Sequence, residues 1–190
     1  MTNDEFFKQA MAVIPSAFDL IAECGNSFIP DSIQVFEEVE KIREHEFVEN
    51  EIIYNHIAGL LPINDLTIYQ AGVSGFQPTL WKGSEFEQKT LKYVLLEPVE
   101  SLTDQEKTRF QSIILSLVGT PYDFAGIAEQ VILTTTGIWL GPKGEEAKKR
   151  LYCSEAYAYA YFILRGYFPE WWKISPEKFV ESGLFRIKIS

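Results

Sequence analysis

Cys153 follows the basic run Lys148-Lys149-Arg150 and opens the stretch CSEAYAYAYF, rich in alanine and aromatics. A thiol at the start of a helix sits beside backbone N–H groups that have no intrahelical partner, and these favour the thiolate and lower its pKa. The position suits nucleophilic attack through sulfur. Packing is the competing reading, because free cysteine is among the most often buried residue types and behaves as a small hydrophobe. Residues elsewhere in the chain must decide between the two.

A thiol nucleophile needs a base, and His56 stands where one can be held. Residues 52–61 and 66–71 read as strands around the turn signal Pro62-Ile63-Asn64-Asp65, which makes them a hairpin. Symmetry about Ile63 puts His56 opposite Gln70 on the neighbouring strand, with both side chains on one face. A side-chain hydrogen bond there fixes the imidazole tautomer, and the arrangement becomes a thiol, a base and an orienting amide. A one-residue slip would separate the pair. The bland alternative for His56 is a half-buried strand histidine bonded to a carbonyl.

The elements that must position these residues follow from pattern and punctuation. Residues 4–13 read as a helix ending before Pro15, Phe18–Ala22 as a strand, and Asp31–Val39 as a helix with Ile33, Phe36 and Val39 on one face. Lys92–Glu97 is strand-like, and Thr103-Asp104-Gln105-Glu106 is a capping box ahead of a helix that Gly119 ends. The helix of Cys153 runs to about Leu164, with Gly166 as its stop. Ser175-Pro176-Glu177 opens a last short helix before a terminal strand, Leu184–Ile189. On the Cys153 helix, Ala156, Tyr157, Ala160 and Leu164 share the face of the cysteine, so small alanines there let it approach a sheet closely.

Composition bounds the rest. A chain of 190 residues with 46% hydrophobic content fits one globular domain over residues 1–190, without repeats or linkers. A net charge of -10 argues against nucleic acid as a partner, since phosphate binding needs a basic surface. The N-terminus lacks a basic n-region and a long apolar run, so a cytoplasmic location is expected. Val131–Leu140 is too short to span a bilayer, so stable membrane insertion is not expected; the stretch reads as a core element or loop wall. Cys24 and Cys153 read as thiols rather than a disulfide, with Cys24 structural. His45, His56, Cys24 and Cys153 have no zinc spacing, and Gly141-Pro142-Lys143-Gly144 lacks the frame of a phosphate loop, so no metal or cofactor is expected.

The order of these motifs carries a family resemblance. A strand FDLIA, the loop GNSFIPDSIQ, Tyr54-Asn55-His56, then IYQAGVSG, a helix, GTPYDF and finally Tyr152-Cys153-Ser154-Glu155 resembles the circularly permuted NlpC-type papain-like proteins. Bacterial YaeF/YiiX-type proteins belong to that group, with lecithin:retinol acyltransferase as a relative, and there too the histidine precedes the cysteine. The similarity spans residues 17–165. It implies an α+β papain-like fold with an antiparallel sheet packed against the cysteine helix. It further implies Cys153 as nucleophile, His56 as base, Gln70 as the third polar residue and the Cys153 N–H as oxyanion donor. The activity it implies is a cysteine hydrolase or amidase, a peptidase-like enzyme acting on peptide-like amides, cell-wall peptide among them. A lipid acyltransferase or thioesterase is the alternative enzyme, and a catalytically weak binding module is the alternative outside enzymes.

Departures from the family pattern have chemical consequences. Phe18-Asp19 stands where members carry Gly-Asp. Gln70 replaces an acid, and a neutral amide orients imidazole without stabilising imidazolium by charge. Glu155 in the first helical turn favours the dipole but would raise the thiol pKa if it pointed inward. Residues 127–150 fall in the family's variable region, where they would roof the site.

Overall fold

Two apolar sets alternate along the strands, and each covers one face of an antiparallel sheet. The structure is a computed structural model that describes residues 5, 6, 9, 19–25, 54–60, 67–80 and 90–189. Its strands are β1 (Leu20–Gly25), β2 (His56–Leu60), β3 (Thr67–Gly72), β4 (Gly75–Leu80), β5 (Thr90–Pro98) and β6 (Phe185–Ile189). They lie in the order β4-β3-β2-β1-β5-β6, every neighbouring pair antiparallel. Leu20, Ala22, Ile57, Tyr69, Ala71, Val94 and Leu96 point into the main core under the helices. Ile21, Ala58, Leu60, Ile68, Tyr93 and Leu95 form the second cluster on the opposite face, where Phe6 stacks on Tyr93 at 5.4 Å.

Four α-helices accompany the sheet among the described residues: α1 (Asp104–Ser116), α2 (Phe124–Thr136), α3 (Cys153–Arg165) and α4 (Pro176–Glu181). The capping box forms as expected. The Thr103 N–H donates to the Glu106 carboxylate at 2.8 Å, and the Glu106 N–H donates to the Thr103 hydroxyl at 3.3 Å. Gly166 ends α3 in the left-handed conformation at φ 71°, and Ser175 caps α4 by accepting from the Lys178 N–H.

α3 is the central helix, buried continuously from Cys153 to Tyr161. An amphipathic helix shows one apolar stripe, whereas one buried all round must be small or apolar on every side, which the alternating Ala and Tyr provide. Ala156, Ala158 and Ala160 are fully enclosed, and Phe110 of α1 meets Tyr157 and Tyr161 at ring-centroid distances of 6.4 and 5.2 Å. Arg165 clamps the far end of α3 to α1, donating from Nε and Nη2 to the two Glu106 carboxylate oxygens at 2.7 and 3.0 Å.

Two elements differ from expectation. β4 follows β3 through the tight turn at Val73-Ser74, with Gly75 at φ 92° and Pro78 tolerated because the strand is at the end of the sheet among the described residues. α2 occupies residues whose three threonines obscured a helix; Thr135 and Thr136 bond back to the carbonyls of Val131 and Ile132. The helix expected at 31–39, the hairpin turn at 62–65 and most of the helix at 4–13 lie outside the described residues. Among the described residues, no helix is long and apolar enough to cross a membrane.

Candidate active site at the seam between β2 and β3

β2 begins at His56 and β3 runs to Gly72, yet among the described residues their ladder contains only Gly59 paired with Tyr69 and Leu60 paired with Ile68. Beyond Gly59 the two strands part. α3 packs against both strands. Its Tyr157 hydroxyl donates to the Tyr69 carbonyl and also meets the Gly59 N–H, at the last pair of the ladder. A Cβ added at Gly59 would stand 2.5 Å from that hydroxyl oxygen, so glycine is what allows helix and sheet this close approach. One helical turn earlier, Cys153 sits over Ile57, two residues before Gly59 on the same strand face.

Cys153 is the first residue of α3 and is fully enclosed. Burial pushes its thiol up to about 12, outweighing the N–H groups of Ile57, Ser154 and Cys153 itself, which favour the thiolate. The negative charge of Glu23 adds to the rise. The sequence expectation of a depressed thiol is therefore reversed for the resting protein, because desolvation exceeds what a helix N-terminus returns. Glu155 does not point its charge at the sulfur. It turns back to accept the Tyr152 N–H at 3.0 Å, and burial raises its own carboxyl well above the ordinary range.

His56 and Gln70 meet. The His56 Nε2 and Gln70 Oε1 are 3.0 Å apart, with the imidazole nitrogen donating to the amide oxygen. Their register is not the one read from the turn. The observed ladder, extended, puts Gln70 opposite Ala58 and His56 opposite Gly72. A displacement of two residues keeps both side chains on the same face, and the long glutamine reaches diagonally. Burial lowers the His56 imidazole to about 4, against the opposing effect of the Gln70 bond. Thiol and imidazole are thus both neutral at rest.

Strand alternation sets His56 on the face of Ala58 and Ile57 on the face of α3. The Cys153 sulfur meets the N–H of Ile57, so sulfur and imidazole lie on opposite faces of β2 and the expected arrangement of thiol and base on one face is not what the strand alternation gives. Glu23 completes the neighbourhood. It lies directly opposite His56 in the β1–β2 register, is 4% exposed, and was not singled out from the sequence. The strand read from the sequence as Phe18–Ala22 stops one residue short of it, whereas β1 runs on to Gly25. Tyr157 and Gly59 were likewise missed as seam-forming residues. Among the described residues, no group of three or more His, Cys, Asp or Glu side chains is arranged to hold a metal ion.

No protein-family model matches the chain, and no curated protein matches it. A solved structure does: the crystal structure of metalloprotein yiiX from Escherichia coli O157:H7, DUF1105, aligns with a TM-score of 0.54, covering 80% of this chain and 67% of that one. The chain has a yiiX-like fold. At 19% identity the likeness to yiiX is one of fold. It accords with the expected α+β arrangement and with the YiiX-type resemblance of the motifs.

Proposed function

We propose that the chain is a cysteine hydrolase on a circularly permuted papain-like fold, cleaving an amide through a thiol acyl-enzyme. The observation that carries this reading is the His56–Gln70 hydrogen bond beside the end of the β2–β3 ladder, against which α3 packs with a cysteine as its first residue. Cys153 is the nucleophile and His56 the base. As the S–C bond forms on the substrate carbonyl, the thiol proton passes to His56 and negative charge moves to the carbonyl oxygen, facing the Cys153 N–H. Collapse breaks the C–N bond, His56 returns the proton to the departing amine, and water then resolves the thioester and restores the thiol. Both groups are neutral at rest, and His56 lies on the face of Ala58 while Cys153 lies on the face of Ile57, so the reading requires a rearrangement that brings sulfur and imidazole to one side of β2 before the proton moves. Peptide-like amides, cell-wall peptide among them, are the substrate class by family resemblance; lipid acyl transfer or thioester cleavage is the alternative chemistry for the same groups.

The protein yiiX is described as a metalloprotein. Among the described residues no three-ligand group of His, Cys, Asp or Glu is present, and the Nε2 of His56 is committed to Gln70.

One observation favours a second reading, a binding module of weak catalytic power: Cys153 is fully enclosed and its thiol is raised to about 12. Turnover of a panel of peptide amides and acyl esters by wild-type, Cys153→Ala, His56→Ala and double-variant protein separates the two. The hydrolase reading expects each single variant to lose nearly all activity and the double variant to be little worse. Full activity in Cys153→Ala would end it.

A further inference from the structure

A buried base that accepts a proton needs a counter-charge, and Gln70 cannot supply one. We infer that Glu23 is a positioning residue of this site, whose carboxylate faces the His56 ring across β1 and β2 and holds the imidazolium once it forms. This rests on the proposed roles of Cys153 and His56. Glu23 and His56 are direct register partners, so their Cβ atoms stand about 5 Å apart on one face of the sheet. Both are buried, at 4% and 7% exposure. A buried cation without an opposite charge is costly.

The groups around the ring divide the work. Gln70 comes from β3 and fixes the Nε2 proton. Cys153 of α3 lies on the other face of β2, against the Ile57 N–H. Glu23 comes from β1, and its other register partner, Tyr93 of β5, is buried on the same face under Phe6. The carboxylate also disfavours a thiolate at Cys153, so it opposes ionisation of the free pair. Once sulfur is bonded to carbon and the charge has moved to the substrate oxygen, that opposition disappears. The attraction between Glu23 and imidazolium remains. Glu23 thereby restricts proton transfer to the moment of attack.

The test is an NMR pH titration of the His56 ring in the full chain, for wild type, Glu23→Gln and Glu23→Asp, each repeated with Cys153→Ala. Glu23→Gln should lower the His56 pKa by about one unit, a tenfold loss of basicity, while Glu23→Asp should keep most of it. The same shift should appear without the thiol, so this result stands or falls separately from turnover, which tests the hydrolase reading. Should Glu23→Gln fail to fold, the reciprocal measurement replaces it: the Glu23 side-chain carboxyl resonance should titrate at a changed pH in His56→Gln. An unmoved His56 pKa in Glu23→Gln, an equal fall in Glu23→Asp, or a Glu23 titration indifferent to His56 would overturn the inference.

Discussion

The Nε2 of His56 lies 3.0 Å from the Oε1 of Gln70, although Gln70 faces Ala58 and not His56 in the strand register. An amide oxygen can only accept, so the proton of the neutral ring resides on Nε2 and Nδ1 is the nitrogen that receives the next one. Long-range nitrogen–proton NMR should report the Nε2–H tautomer in wild type and a tautomer mixture in Gln70→Ala. Because the bond raises the His56 pKa, Gln70→Ala should lower it and Gln70→Glu should raise it. Turnover should fall about tenfold in Gln70→Ala, against about 10²–10⁴ in His56→Ala. An equal loss in both would make Gln70 more than an orienting group.

Acid should destabilise the protein through His56. Its imidazole is held down to about 4 by burial, from an ordinary value of 6.5. Between those values the unfolded chain binds the proton and the folded protein does not. Stability is therefore full above 6.5 and is lost as pH falls toward 4, by on the order of 3 kcal/mol. Denaturant midpoints across this range should show a steeper acid decline in wild type than in His56→Asn. Parallel curves would contradict the burial of a neutral ring.

Gly59→Ala should be costly without touching the chemical groups. The added Cβ would press on the Tyr157 hydroxyl at 2.5 Å and on its ring carbons at 2.7 and 2.8 Å. Overpacking of this kind costs about 1–3 kcal/mol. Tyr157→Phe in the same chain should return only part of that loss, since the ring carbons still collide. Urea unfolding of the two single variants and the double variant measures the coupling, and a neutral Gly59→Ala would show that α3 can move off the seam.

Much of the scaffold was legible because its signals are local. The Thr103–Glu106 capping box, the stop at Gly166 and the Ser175-Pro176 start each depend on residues within one turn. The face shared by His56 and Gln70 was also legible, since a two-residue error in register leaves parity intact. Non-local facts were not. That β1 lies beside β2, bringing Glu23 opposite His56, depends on strand order, which no local pattern encodes. The thiol pKa was misjudged for the same reason: the helix start could be read from Tyr152-Cys153-Ser154-Glu155, but the complete enclosure of the sulfur by β2 and α3 could not. α2 was hidden by threonines whose hydroxyls are satisfied within the helix itself.

The central claim is that Cys153 attacks an acyl carbon with His56 as its base. Its most direct measurement is trapping the acyl-enzyme with p-nitrophenyl acetate and locating the acetyl group by peptide mass in acid-quenched native protein. The account predicts a thioester on Cys153 and none on Cys24, formed with a burst of nitrophenolate, and sharply reduced in His56→Ala while the fold is retained. Acetylation that favours Cys24, that proceeds equally well in His56→Ala, or that reaches Cys153 only after unfolding would contradict it.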